Sequence, residues 1–165
     1  MENIVNYLQI MIDSLEKKEV LLDRITDKNR SQYECVKGKD YDDVDWDAFN
    51  LLVTEKEIAI NRIIEIDEGF DRTYNIIKDE VIANKEKYRD KVAILKEQIE
   101  RLTDKGISIQ ADEERTRQVI DSLFRKTRQD IRKQRTGINV ANVYYKTMSN
   151  SVVRAAEISM LDAKK

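Results

Sequence analysis

Apolar residues recur every three or four positions almost from end to end of this chain, and no proline interrupts them. A 4-3 spacing tracks the 3.6-residue turn and places its members on one face of a helix. The first run covers Asn3 to Val36, with Ile4, Leu8, Met11, Leu15, Leu22 and Ile25 on its seam. Lys18 fills the heptad position between Leu15 and Leu22, where its alkyl stem can lie along the seam and leave the amine in water. The pattern fades after Ile25. Lys37-Gly38-Lys39 predicts the stop, because glycine just past a helix accepts the left-handed backbone that ends one. In the acidic connection that follows, Asp45 is the expected N-cap of a helix starting at Trp46, and Asp47 suits the positive end of its dipole.

The second run extends from Trp46 to Asp104 through Phe49, Leu52, Ile60, Ile63, Phe70, Tyr74, Ile77, Val81, Tyr88, Val92, Leu95, Ile99 and Leu102. It predicts one long helix, about 85 Å if unbroken, with Gly69 as its weak point. Lys105-Gly106 predicts its end. Ser108 or Asp112 would cap a third helix reaching Arg135, with Ile120, Leu123, Phe124, Thr127 and Ile131 inward. After Gly137 the character changes. Ile138 to Lys165 is rich in Asn, Ser and Ala yet keeps an amphipathic face of Ile138, Ala141, Tyr145, Met148, Val152 and Ala155, widened by Val140 and Tyr144. The expected fold is all-α: an elongated antiparallel helical bundle or coiled coil of three long helices plus a C-terminal amphipathic segment. The first helix would lie on the first half of the second, and the third on its second half. Residues 1–135 form the core in this reading, and residues 136–165 a separate functional segment.

Composition narrows the chemistry. Charged residues make up 38% of the 165, with 30 Lys and Arg against 32 Asp and Glu, a balance that suits solvated helix faces laced with ion pairs. Histidine is absent and cysteine occurs once, at Cys35. The commonest general base, a Cys-His nucleophile, a structural zinc site and an internal disulfide are all removed at once. A lone cysteine points to a reduced, cytoplasmic setting. No apolar run approaches the roughly 18 residues a bilayer requires. Counting from Asp43, the acidic run starts like a calcium loop, but Ala48 and Thr54 stand where the loop needs glycine and glutamate, so capping is the better account. The basic residues between Arg125 and Arg135 spread around their helix, which argues for a salt-bridged helix end over a nucleic-acid surface. With no phosphate-binding glycine loop either, the residues point to binding without catalysis, cofactor or metal.

The C-terminal segment carries the functional signal. Its face is weak for a core, whereas Tyr144, Tyr145 and Met148 cluster residue types enriched at interfaces. The order of parts resembles the FlgN-type flagellar export chaperones, small helical proteins that include FliT. A first helix ends near Glu34 and an Asp-rich joint. Leu51-Leu52 follows with Lys56, then Ile60, Ile63, Ile66-Asp67 and Gly69-Phe70, and a stripe through Tyr88 and Leu95 to a second glycine. Glu114-x-x-Arg117 opens a charged stretch, and Arg135-Thr136-Gly137 leads to Tyr144-Tyr145. The resemblance implies a cytoplasmic type III secretion chaperone. Its clients would be hook-filament junction proteins such as FlgK and FlgL, held by their helical C-terminal regions before export, with the export apparatus as a further partner. Carried onto this chain, the client-binding residues are Ile138, Val140, Ala141, Tyr144, Tyr145, Met148 and Val152. The tail here is longer and more aromatic than the family leads one to expect. The alternative from a different class is a structural coiled-coil scaffold that forms homo-oligomers through its seams. Neither reading involves nucleic acid or membrane insertion.

Overall fold

The structure, a computed structural model, describes residues 2–126. They form three helices: α1 (Glu2–Val36), α2 (Trp46–Ala83) and α3 (Lys85–Lys126), and no strand occurs among the described residues. At 1.5 Å per residue these helices are roughly 52, 57 and 63 Å long. The all-α, elongated bundle expected from the periodicity is therefore present. Its connectivity differs from expectation in two places.

The long second helix does not exist as one rod. It breaks at Asn84, whose backbone (φ −129°, ψ 50°) leaves the helical region, while its side-chain amide donates to the Glu80 carbonyl and carboxylate at 3.2 and 2.9 Å. α3 starts at the next residue and runs back along α2, so that Phe70 lies near Ile99 and Tyr74 near Val92. The third helix expected after Gly106 is the distal half of α3. Gly106 sits buried inside that helix, because packing against α1 outweighs the ~1 kcal/mol that glycine costs. Gly69 does not break α2 either.

α1 thus lies along both α2 and α3, antiparallel to the first and parallel to the second. Its seam residues Leu8, Met11, Leu15, Leu22 and Ile25 meet Ile60, Ile63, Phe70, Ile77 and Val81 from α2 and Tyr88, Leu95, Ile99, Leu102 and Ile109 from α3 in one continuous core. The stop after α1 is as expected: Gly38 has φ +66°, and the following segment makes a single 3₁₀ turn at Tyr41–Asp43. Asp45 caps α2 by accepting from the Ala48 N–H at 3.0 Å. A second, smaller cluster closes this end, where Val36, Val44, Phe49 and Val53 pack against Ile120 and Leu123 of α3.

Candidate binding surfaces and the buried polar layer

The predicted client-binding residues Ile138, Val140, Ala141, Tyr144, Tyr145, Met148 and Val152 lie outside the described residues, as does the 135/136 boundary. Within the bundle, the chemistry sits where the apolar stripes have gaps. After Ile25 the inward positions of α1 are Asn29 and Gln32, and the corresponding gap in α2 is Lys56. Lys56 is 2% exposed. Its ammonium donates to Asn29 Oδ1 at 2.7 Å, to Gln32 Oε1 at 2.7 Å and to Glu113 Oε1 at 2.5 Å. An ammonium has three donors, and all three are taken, with acceptors from two other helices. Burial pushes the Lys56 amine below its ordinary 10.5, while the charge and hydrogen bond of Glu113 act in the opposite direction. The amine is enclosed by its own acceptors and joins the three helices.

Lys18 makes the second such link. Its amine does not reach water as the periodicity suggests. At 3% exposure it pairs with Asp67 of α2 at 2.9 Å. Gln98 of α3 adds a third tie, donating to the Ile12 carbonyl of α1 at 3.1 Å. Sequence reading gave no buried role to Asn29, Gln32, Lys56, Asp67, Gln98 or Glu113, although Lys56 and Asp67 stand among the residues of the family resemblance. The available signal was that polar residues interrupt the inward stripes of all three helices, and such interruptions need one another when buried.

Buried ion pairs of this kind are a weak source of stability, because desolvation offsets most of the attraction. They penalise wrong alignments strongly. Sliding α1 by one heptad against α2 would replace the Asn29 and Gln32 acceptors of Lys56 with apolar or unmatched residues and leave Lys18 and Asp67 buried without each other. The polar layer therefore fixes which levels of the three helices meet.

Along the α1–α3 contact the pairing is at the surface. Arg101 donates to Glu19 at 2.8 and 3.2 Å, and Lys105 donates to Asp23 at 2.6 Å. The Arg101 hydrogen bond, with help from Lys105, holds the Glu19 carboxyl below its usual 4.5. At the capped end, Trp46 contacts Tyr41, Phe49 and Phe124 with ring centroids 5.2–6.4 Å apart. Its indole N–H donates to the Tyr41 carbonyl at 3.2 Å. Cys35 is half-buried beside this cluster, and burial pushes its thiol above the usual value, away from nucleophilic use.

Among the described residues, shallow grooves open to solvent lie between the helices. One is lined by Leu15, Lys18, Asp67, Phe70, Ile99 and Leu102, another mainly by aliphatic side chains around Met11 and Ile77. The titratable side chains lining them are the paired Lys18 and Asp67 in the first and Tyr74 and Lys78 in the second, and neither groove adds a carboxylate beyond Asp67. Among the described residues, no group of three or more Cys, Asp or Glu side chains is placed to hold a metal ion, and no helix is long and apolar enough to cross a membrane. Compared with family models, with characterised proteins and with solved structures, the chain finds no match.

Proposed function

We propose that this chain is a non-enzymatic helical chaperone of the FlgN type, in which the three-helix bundle is the support and residues 136–165 capture a helical segment of a client. One observation carries the reading. The inward faces of α1, α2 and α3 meet one another as far as Leu123 in two clusters of buried apolar residues, to which all three helices contribute. The apolar positions that follow Gly137 come after both clusters in the sequence, and in this reading they serve another protein. An aliphatic and aromatic helix face of this kind matches the helix-in-groove mode of recognition, in which a client's exposed stripe is covered before it can aggregate. On the resemblance, the client class is the C-terminal helical region of FlgK- and FlgL-like junction proteins in the cytoplasm, delivered to the export apparatus.

Truncation after Arg135 tests this directly. The shortened chain is expected to keep the helical circular dichroism and cooperative melting of the full chain. It should lose at least tenfold in affinity for a purified FlgK-like C-terminal helical fragment, as expected when the main apolar anchors of an interface are removed. Undiminished capture by the truncated chain would remove residues 136–165 as the site.

A further inference from the structure

The outward face of α2 carries a second heptad seam, which the core does not use. Steps of four and three run through Leu51, Glu55, Ile58 and Arg62, and continue through Glu65, Gly69, Arg72 and Ile76. Leu51, Ile58 and Ile76 are 60%, 67% and 63% exposed, the three most exposed large apolar residues among those described. Gly69 lies in the middle of this seam without an internal reason for being glycine. α2 passes through it unbroken, and an added Cβ would meet only the Arg72 guanidinium at 3.7 Å, an ordinary contact. Glycine lowers helix stability, so a position with room for a side chain has a use for the missing one.

We propose that this face binds a second copy of the chain, α2 against α2, antiparallel about a two-fold axis passing between residues 63 and 64. In an antiparallel pair each seam residue meets the residue equidistant on the other side of that axis, and the contact is self-complementary. Leu51 then meets the partner's Ile76, apolar on apolar. Ile58 enters the space left by the partner's Gly69. Glu55 faces the partner's Arg72, and Arg62 faces the partner's Glu65. Every layer from 51 to 76 is complementary, over about 38 Å of helix.

The charges select this arrangement against its neighbours. A parallel pair would stack Glu55, Arg62, Glu65 and Arg72 each on its own copy. A one-heptad slip in one direction sets Glu55 on the partner's Glu65, and in the other direction Arg62 on the partner's Arg72. Against the parallel pair and the one-heptad slips, the proposed register alone avoids like charges, and a two-heptad slip sets charges on apolar residues or glycine in half as many layers. The existing in-chain pairs are compatible with it: Arg62 and Glu65 pair at 2.9 Å, and side by side with their symmetry mates they form a ring of alternating charge. Glu55 also pairs with Lys28 of α1 at 2.6 Å, on the flank of the seam.

This inference stands independently of client capture by residues 136–165, and its test does not involve a client. Sedimentation equilibrium of the full chain over a micromolar concentration series is expected to show a monomer–dimer equilibrium. Arg62→Glu and Glu65→Arg, each alone, place like charges in two symmetry-related layers and should raise the dimer dissociation constant roughly tenfold or more. The double swap Arg62→Glu/Glu65→Arg keeps both the in-chain and the cross-chain pairing, and should restore it. Gly69→Leu should leave the thermal midpoint equal or higher while abolishing the dimer, since it fills the space that the partner's Ile58 needs. A chain that sediments as a monomer at every concentration would leave the face to a different protein and overturn the proposal. A dimer indifferent to Gly69→Leu and to both single swaps would overturn it as well.

Discussion

Lys56 condenses the logic of this protein into one side chain. A leucine there would pack more cheaply, yet the chain places an ammonium between three helices and supplies a matching acceptor for each of its protons. The consequence is asymmetric. Lys56→Met leaves Glu113 buried without its counter-charge and strips Asn29 and Gln32 of their donor. Denaturant unfolding should show a loss of about 3–5 kcal/mol. A loss below ~1 kcal/mol would mean that water reaches the layer. Lys18 shows why such residues escape a periodicity reading. A lysine on an apolar stripe usually extends its amine outward, and only the arrival of Asp67 from another helix makes the buried position tenable.

At the scale of elements, the contact between α1 and α3 is the one that local pattern could not supply, because it joins residues 82 apart along the chain, as in Glu19 with Arg101. Its surface charges make it pH-dependent. Glu19 is held below its usual 4.5, so its contribution is fully present above that value and is lost as pH falls through the lowered one. The stability difference between the native chain and Glu19→Gln should be roughly 0.5–1 kcal/mol near neutrality. It should shrink toward zero in acid. A difference that stays constant from pH 7 to pH 3 would show that the carboxylate charge is not what joins the helices. Helix ends were legible where they rest on local chemistry, as with Gly38 and Asp45. The reversal at Asn84 was not, because a single Asn in the polar run Asn84-Lys85-Glu86-Lys87 is a weaker signal than the two glycines nearby. The seven-residue step from Val81 to Tyr88 did not mark it either, since Ile63 to Phe70 makes the same step inside unbroken α2.

For the whole molecule, the buried polar layer trades stability for a single alignment. Replacing it together, by Asn29→Leu, Gln32→Leu, Lys56→Met and Glu113→Leu, should give a bundle as stable or more stable by about 1–4 kcal/mol. The same variant should lose its unique helix register, seen as multiplied or broadened amide resonances. A single sharp set of resonances would show that the apolar stripes alone fix the register.

The spacing of apolar residues determined that the chain is helical, and local stop and cap chemistry determined that α1 ends before Gly38 and that Asp45 opens α2, since each depends on neighbours within a turn or two. Absence of histidine and the lone cysteine narrowed the chemistry on the same terms. Only the tertiary structure decided that the long second run doubles back at Asn84, that Gly106 stays inside a helix, and that Lys56 and Lys18 are buried. Those outcomes turn on partners dozens of residues away, whose packing and charge outweigh the local cost of a glycine or a buried amine.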